Sequence, residues 1–323
     1  GYKNESYNCT RSDGLNLAAF ICTMLGCWQD ELRCYFVMEH LPYNTLGYHT
    51  QVANETRGIQ KPEFVQYYST QMAAGLTYLN SKGIIHRDIK GDNVAIAANG
   101  WAKLIDFGLI WPNADKKDAR SFVGTPSYLA PEILVKSPYS TEVDWWSLAV
   151  LMYELRTSFL LFNGRNENEV FKKIGDAKNF IISEKFTSSL FHHTNDPTYL
   201  QNLLSLMLNR DPNKRLAYRL PHKLNNLQKI RKIDSINSIQ PLDHDYFKQG
   251  LEMIKKSRPP LRMRCIADFD ETRKGKNDMY YGRFGTHRRR KNQSLLPPCR
   301  DRVDAEENEA FEGFGYPDSR MKR

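Results

Sequence analysis

Apolar residues near the start of the chain form two short runs that predict β-strands. The first extends from Leu17 to Cys27 and the second from Cys34 to Met38, and a polar turn at residues 29–31 joins them. Pro42 and Asn44 follow closely, and both residue types favour turns over regular structure. We therefore predict a strand pair that leads into a connector.

Helical spacing begins after that connector. Apolar residues recur three or four positions apart and predict an amphipathic helix over 62–81 that stops at Gly83: Phe64, Tyr68, Met72, Leu76 and Leu79. Short strands are predicted next, near residues 84–85, 94–97 and 102–105. After Pro131 the pattern becomes helical, over residues 143–155, 167–174 and 199–208.

The composition excludes a disordered chain, because 41% of the residues are hydrophobic and 12% are aromatic. The formal net charge of +9 is concentrated near the C-terminus, where residues 253–302 hold fifteen Lys and Arg against five Asp and Glu. Two Pro-Pro pairs and the basic run at 288–291 predict an extended tail there. Nucleic-acid binding by this tail is a minor hypothesis, since no recognisable DNA- or RNA-binding module accompanies the charge.

Cysteine usage and hydropathy indicate the expected cellular compartment. The six cysteines include no C-x-x-C pair, so a structural zinc site is not expected. Unpaired thiols suit a reducing environment. No apolar run approaches the roughly 20 residues that a membrane helix needs. We therefore expect a cytoplasmic protein without a membrane span, with the nucleus as an alternative location.

Three short motifs contain the residues with candidate catalytic chemistry. They are His86-Arg87-Asp88-Ile89-Lys90-Gly91-Asp92-Asn93, Asp106-Phe107-Gly108 and Ala130-Pro131-Glu132. Each string alone is weak evidence, because Asp and Asn are common in loops, where they cap turns. In this order and spacing, between predicted strands and helices, they resemble the protein kinase family. Its signature is a catalytic loop, a metal-binding triplet and the end of an activation segment.

The resemblance implies an α+β, protein-kinase-like fold. It predicts a remnant of the N-terminal β lobe at residues 1–37, a hinge at 38–45, a mostly helical C-terminal lobe at 46–250 and a basic tail at 251–323. The implied activity is transfer of the γ-phosphate of ATP, with Mg²⁺, to Ser or Thr hydroxyls of proteins in signalling.

Four residues match the family's catalytic positions. Asp88 would be the catalytic base that accepts the proton of the substrate hydroxyl. Lys90 would neutralise the transferring phosphate, and a lysine here is typical of serine/threonine kinases. Asn93 and Asp106 would supply the hard oxygen ligands that Mg²⁺ requires.

Other residues of the same strings have implied supporting roles. His86 and Phe107 would belong to the hydrophobic stack that aligns the catalytic loop. Arg87 would bind a phosphate on the activation segment. Asp92 would attract basic residues near the target hydroxyl of a protein substrate. In the C-terminal lobe, the resemblance implies two structural features: a buried ion pair between Glu132 and Arg215, and the attachment of the catalytic loop backbone to Asp144.

The nucleotide site is implied by the segment around Met38. Met38 would be the gatekeeper, the backbones of Glu39 and Leu41 would pair with adenine, and Ala95 would form the floor of the pocket. Two residues depart from the usual pattern. Thr45 stands where many relatives have an acidic residue for the ribose, and Ala95 stands where a leucine is usual.

The activation segment indicates one branch of the family. Residues 120–126 resemble those of the AGC kinases, the group of the cAMP-dependent and protein kinase C enzymes. Ser121 would be the activating phosphorylation site for an upstream kinase, and Thr125 would contact the catalytic loop and the substrate. The C-terminal hydrophobic motif of this group is matched by three residues: Phe311, Phe314 and Tyr316.

Two family features are missing from the sequence. There is no G-x-G-x-x-G string, and no lysine strand of the V-A-x-K type precedes the predicted hinge. Two hypotheses follow. The chain is a fragment of an active serine/threonine kinase, or it is a catalytically weak, kinase-like scaffold (a pseudokinase) that acts by binding proteins. The sequence upstream of Gly1 would distinguish them.

Overall fold

The structure is a computed structural model that describes residues 14–55, 60–112, 114, 119–176, 198–216 and 241–256. The predicted terminal motif at Phe311, Phe314 and Tyr316 lies outside the described residues, as does nearly all of the predicted basic tail. Within the described part of the chain, none of the helices combines the length and the apolar character needed to cross a membrane.

The chain divides into two compact units. The described part of the smaller unit is an antiparallel hairpin of β1 (Met24–Gln29) and β2 (Cys34–Met38). Asp30 organises the turn, since its Oδ1 accepts hydrogen bonds from the backbone N–H groups of Leu32 (2.8 Å) and Arg33 (2.7 Å). Such a side-chain-to-backbone bond pattern stabilises a turn locally. The predicted strand pair and polar turn are therefore present.

The predicted first strand is wrong in its first half. Leu17–Phe20 form a 3-10 helix, and the strand begins only at Met24. The Asn16 side chain accepts a hydrogen bond from the Ala18 N–H (3.0 Å), which caps the helix, and Leu17 and Phe20 are buried. A spacing of three residues puts both apolar side chains on one face of a 3-10 turn, which a hydrophobic run alone does not distinguish from a strand.

The larger unit is mainly helical. Its helices are α1 (Leu46–Glu55), α2 (Pro62–Ser81), α3 (Pro131–Leu134), α4 (Glu142–Thr157), α5 (Glu167–Asp176), α6 (Thr198–Met207) and α7 (Asp245–Lys255). Helix α2 has the predicted bounds, with Pro62 at its first position and Gly83, in a left-handed conformation (φ 68°), just after its end. Most of α2 and α4 is buried, so the two helices form the centre of the core.

Side chains of α2 and α4 also fix the two helices to each other. Trp145 and Trp146 are fully buried, and the Trp145 Nε1–H donates to Asn80 Oδ1 at 2.9 Å. The buried indole N–H group therefore keeps a partner. Full burial of each large apolar side chain contributes about 1.5–3 kcal/mol.

Short antiparallel strand pairs position the loops that carry the candidate chemistry. β3 (Ile84–Ile85) pairs with β6 (Trp111–Pro112), and β4 (Val94–Ile96) pairs with β5 (Ala102–Leu104). The loop at residues 86–93 runs from β3 to β4, and the Asp106-Phe107-Gly108 triplet follows β5. Because β4 and β5 are antiparallel and Val94 pairs with Leu104, the loop that enters β4 and the triplet that follows β5 lie at the same end of this strand pair.

The sequence patterns missed three helices, α1, α3 and α7. Helix α1 begins after Thr45, whose Oγ1 accepts a hydrogen bond from the Tyr48 N–H (3.2 Å) as a helix cap does. Helix α7 packs on α2 so tightly that a Cβ atom at Gly250 would lie 2.0 Å from Thr70 Oγ1. The predicted start of the tail at residue 251 falls inside α7.

Candidate active site

The candidate site is built around the Asp88 carboxylate in the loop between β3 and β4. Asp88 Oδ2 accepts hydrogen bonds from Asn93 Nδ2 (2.8 Å) and Lys90 Nζ (2.9 Å). Asp88 Oδ1 accepts a 2.6 Å hydrogen bond from the hydroxyl of Thr125. Burial alone would raise the pKa of Asp88, but these three donors hold it below its usual value. Asp88 is therefore an ionised acceptor at neutral pH.

Lys90 and Thr125 close a small polar ring with Asp88. The Lys90 ammonium donates to Thr125 Oγ1 at 2.8 Å, while the same hydroxyl donates to Asp88. Asn93 also donates to the Asp88 backbone carbonyl at 2.8 Å. The site thus brings together one ionised acceptor, one cation and one amide, all in fixed orientations, beside residues 119–125.

Asp144, at the start of α4, fixes the backbone of this loop. Its two carboxylate oxygens accept the backbone N–H groups of His86 (2.7 Å) and Arg87 (2.8 Å). Arg87 has a left-handed backbone (φ 69°), a conformation that non-glycine residues adopt at a cost. Asp144 is completely buried, and this burial raises its pKa to about 7 despite the two N–H donors.

His86 is a buried, neutral imidazole beneath the loop. Its Nδ1 accepts the Asp88 N–H (3.4 Å), and its Nε2 lies 3.3 Å from the carbonyl oxygen of Ile105, so the bonding pattern assigns the proton to Nε2. Burial lowers the pKa of His86 to about 4. The Phe107 ring meets the imidazole edge-on, with centroids 5.2 Å apart. His86 therefore links the loop to the segment after β5.

Asp106 lies in that segment with an exposed side chain. Its backbone is left-handed (φ 61°), and its Oδ1 accepts the Gly108 N–H at 3.1 Å. The Ile105 N–H donates to the Asn93 carbonyl oxygen (2.9 Å), so Asn93 and the residue before Asp106 are directly connected. Among the described residues, no cluster of three or more His, Cys, Asp or Glu side chains is arranged to hold a metal ion by itself. An amide and a carboxylate on adjacent strand ends still suit Mg²⁺, which keeps several of its own waters and bonds to nucleotide phosphates.

Arg87 lies next to residues 109–111 and to Tyr139. Its guanidinium donates to the carbonyl oxygens of Leu109 and Ile110 and to Tyr139 Oη, and it stacks over Trp111. Tyr139 is fully buried, and its hydroxyl donates to the Ser121 carbonyl oxygen at 2.8 Å. The predicted phosphate-binding arginine and the predicted phosphorylation site are thus connected through one tyrosine that the sequence patterns did not single out.

The predicted partners Glu132 and Arg215 form a bidentate, buried ion pair. Arg215 Nη1 and Nη2 donate to the two Glu132 carboxylate oxygens at 2.6 and 2.9 Å, and Arg215 is 0% exposed. The remaining guanidinium donors bond to the carbonyl oxygens of Glu142 and Asn209, and the guanidinium stacks on Trp146. Every face of the buried cation is therefore compensated, as a buried charge requires.

The predicted nucleotide residues lie in both units. Met38 ends β2 in the smaller unit and is half exposed, whereas Glu39, Leu41 and Ala95 lie in the larger unit. Ala95 is buried in β4 and forms an isolated bridge with Thr45. The segment at residues 39–45 therefore runs along β4, next to the predicted pocket floor.

Asp92 faces a cavity of about 380 Å³ between the catalytic loop, α1 and the end of α4. Glu154, which the sequence patterns did not reveal, lines the same cavity and accepts a hydrogen bond from the Tyr128 hydroxyl. Burial and the Asp92 charge raise the pKa of Glu154. A Cβ atom at Gly47 would lie 2.2 Å from Asp92 Oδ1, and one at Gly91 would lie 2.7 Å from the Gly47 nitrogen, so both positions exclude a side chain.

Comparison with known proteins agrees with this geometry. A family profile described as the protein kinase domain matches residues 10–226 of the chain. The chain belongs to the protein kinase family. The loop at residues 86–93, the Asp106-Phe107-Gly108 triplet and Ala130-Pro131-Glu132 all fall inside the matched range, and the predicted α+β, protein-kinase-like fold is confirmed.

The kinase is similar to several protein kinase C enzymes. It is 34% identical over 199 residues to "Protein kinase C, eye isozyme" of Drosophila melanogaster, covering 61% of this chain and 26% of the relative. It is 29% identical over 311 residues to "Protein kinase C delta type" of Mus musculus, covering 95% of this chain and 39% of the relative. The predicted resemblance to AGC serine/threonine kinases is confirmed. The chain spans well under half the length of these curated relatives.

Proposed function

We propose that this kinase transfers the γ-phosphate of ATP to serine or threonine hydroxyls of proteins. The observation that supports the proposal is the ring of Asp88, Lys90 and Thr125, with Asn93 bonded to Asp88. Phosphoryl transfer depends on positioning and charge neutralisation more than on covalent catalysis. An ionised acceptor and a cation within 2.9 Å of each other supply both requirements.

The residues of the candidate site have different proposed tasks. Asp88 would accept a hydrogen bond from the incoming hydroxyl and take its proton, and Lys90 would neutralise the transferring phosphate. Asn93 and Asp106 would hold Mg²⁺, which supplies charge neutralisation at the nucleotide phosphates when it is bound. The backbones of Glu39 and Leu41 would bind adenine above Ala95, with Met38 as gatekeeper.

We further propose that the preferred substrates carry a basic residue near the target hydroxyl. The 380 Å³ cavity next to the catalytic loop contains two carboxylates, Asp92 and Glu154. Burial and the Asp92 charge raise the pKa of Glu154, so a guanidinium or ammonium group in the cavity would stabilise the ionised Glu154 carboxylate.

Regulation by an upstream kinase is proposed at Ser121. Its backbone carbonyl is already connected to Arg87 through Tyr139. A doubly charged phosphate on this residue would attract the guanidinium and order residues 119–125 against the catalytic loop. The free thiols of Cys22, Cys27 and Cys34 suit a reducing compartment, and we propose the cytoplasm, with the nucleus as alternative.

The test is transfer of labelled γ-phosphate from ATP to a serine peptide that contains arginine, by the full-length protein. Asp88→Asn keeps the shape of the side chain and should reduce transfer by at least about 100-fold, because the proton acceptor is lost. Lys248→Met is a matched surface control. Equal transfer by the parent and Asp88→Asn would reject the assigned mechanism. The alternative, a scaffold without catalysis, predicts no transfer and no stabilisation by MgATP.

A further inference from the structure

The Glu39 carboxylate accepts two donors at the base of the hairpin. Its Oε1 accepts both the Lys103 ammonium (2.6 Å) and the Thr23 backbone N–H (2.7 Å), while the Glu39 N–H donates to the Thr23 carbonyl oxygen at 3.0 Å. Thr23 and Glu39 are the residues immediately before and after the hairpin of the smaller unit. The chain therefore enters and leaves that hairpin through two residues joined by two hydrogen bonds.

The other end of the same segment is attached to β4 by backbone hydrogen bonds. The Tyr43 N–H donates to the Ile96 carbonyl oxygen (3.2 Å), and the Ile96 N–H donates to the Asn44 carbonyl oxygen (3.0 Å). At the Glu39 end, by contrast, the attachment to β5 is a single ion pair from a side chain. Lys103 is thus the residue that connects the start of the segment at 39–45 to the strand that leads into Asp106.

The ion pair between Lys103 and Glu39 is partly buried. The Lys103 side chain is 13% exposed and that of Glu39 is 26% exposed. Partial burial alone would raise the pKa of Glu39, and the donors Lys103 and Thr23 hold it below its usual value. Without Lys103, the carboxylate would keep one hydrogen bond in a poorly hydrated place. The carboxylate would then gain by turning to water and leaving Thr23.

We propose that Lys103 is a positioning residue for nucleotide binding: its ion pair holds the Glu39 carboxylate on the Thr23 N–H group, and this fixes the backbone on which adenine is bound. The inference rests on the proposed function, since it assumes that the backbones of Glu39 and Leu41 bind adenine. It goes further, because it assigns a role to a β5 side chain on the edge of the site.

The experiment measures the dissociation constant of MgADP for the full-length protein by calorimetry. Lys103→Met should weaken MgADP binding about fivefold, the size expected when a partly buried ion pair is lost. The double variant Glu39→Gln/Lys103→Met should return to within about twofold of the parent, because a neutral amide oxygen can keep the Thr23 bond without a charge to solvate. Lys103→Arg should bind like the parent.

Controls separate positioning from general destabilisation. Lys248→Met removes an exposed lysine that also pairs with a carboxylate, and it should leave the MgADP constant unchanged. The KM for the peptide substrate should stay the same in Lys103→Met, since the peptide does not contact residues 39–45 in the proposed function. If Lys103→Met does not fold, Lys103→Gln is a polar, uncharged and shorter replacement that also removes the ion pair and should show the same direction of change.

Each result has one meaning. Unchanged MgADP binding in Lys103→Met, or a double variant as weak as the single one, would overturn the inference and leave the proposed kinase function intact. A parent that does not bind MgADP at all would overturn both.

Discussion

The Lys90 ammonium donates a 2.8 Å hydrogen bond to the hydroxyl of Thr125. This bond joins the catalytic loop to the segment that follows Ser121, and the same hydroxyl donates onward to Asp88. The proposed proton acceptor is therefore oriented by two residues, Lys90 and Thr125, that lie 35 positions apart in the chain. The activity of the kinase should depend on the Thr125 hydroxyl as well as on the loop itself.

Removing that hydroxyl should reduce catalysis. Thr125→Val keeps the side-chain shape but leaves Asp88 and Lys90 each without one hydrogen bond. Hydrogen bonds to charged groups contribute about 1.5–3 kcal/mol, so kcat/KM for a peptide should fall at least about tenfold. Steady-state kinetics measure this. Thr125→Ser retains the hydroxyl and should keep most of the activity, and equal values for the valine and serine variants would contradict the prediction.

The buried ion pair of the C-terminal lobe should be essential for stability. Glu132→Ala leaves the Arg215 guanidinium buried and without its main partner, which typically costs about 3–5 kcal/mol. Urea unfolding should show a large fall in the midpoint. The exposed pair of Lys248 and Asp245 provides the comparison, because Asp245→Ala should cost less than about 1 kcal/mol. Similar losses in the free energy of unfolding for the two variants would mean that burial does not increase the contribution of the ion pair to stability.

The stabilising contribution of His86 should be lost in acid. Its pKa is about 4 in the folded protein and near the ordinary 6.5 in the unfolded chain. The unfolded chain therefore binds more protons between these values, so the stabilisation is complete above pH 6.5 and is lost as the pH falls towards 4. At pH 5 the contribution of His86 alone is a loss of about 2 kcal/mol relative to pH 7, and Asp144, whose folded pKa is about 7, opposes it because the folded chain binds its proton first.

The contribution of His86 can be isolated with a non-titrating ring. His86→Phe should be less stable than the parent at pH 7, because two hydrogen bonds are lost, but the difference in free energy of unfolding between parent and variant should shrink by about 2 kcal/mol as the pH falls from 7 to 5. Urea unfolding at each pH measures the difference. Parallel pH profiles for the two proteins would show that another group causes the acid sensitivity.

The cavity lined by Asp92 and Glu154 should select basic peptides. Glu154→Gln removes one charge and keeps the hydrogen-bond acceptor for Tyr128, so the fold should be retained. The KM for a peptide with arginine should rise about tenfold, as expected for the loss of one charge-assisted hydrogen bond. The KM for a matched peptide with alanine in place of arginine should not change. An equal rise for both peptides would argue against arginine binding here.

Part of this structure could be predicted because its signals are local. Helix α2 has a regular apolar period, a proline at its start and a glycine after its end, and each of these is readable from neighbouring residues. The residues of the catalytic loop are recognisable in the same way, since Asp88, Lys90 and Asn93 are close in sequence as well as in space.

The remaining features depend on distant contacts. Glu154 lies on α4, 62 positions after Asp92, and nothing near it in the sequence indicates a cavity. Lys103 alternates with buried neighbours on β5 and resembles any exposed strand residue until Glu39 is placed beside it. Leu17–Phe20 were wrongly predicted as strand because a capping asparagine and burial in the core decided their conformation.

The close approach of Gly47 and Gly91 limits how substrate preference can be redesigned. In the cavity lined by Asp92 and Glu154, one wall is formed by the closely packed backbones of Gly47 and Gly91. Any larger residue at either glycine would displace Asp92 or the catalytic loop itself. Another wall is formed by residues that follow α4: Phe159, Leu160 and Asn163. A designer who wants a different specificity should therefore vary that wall, where changes of size and charge leave the reacting groups in place.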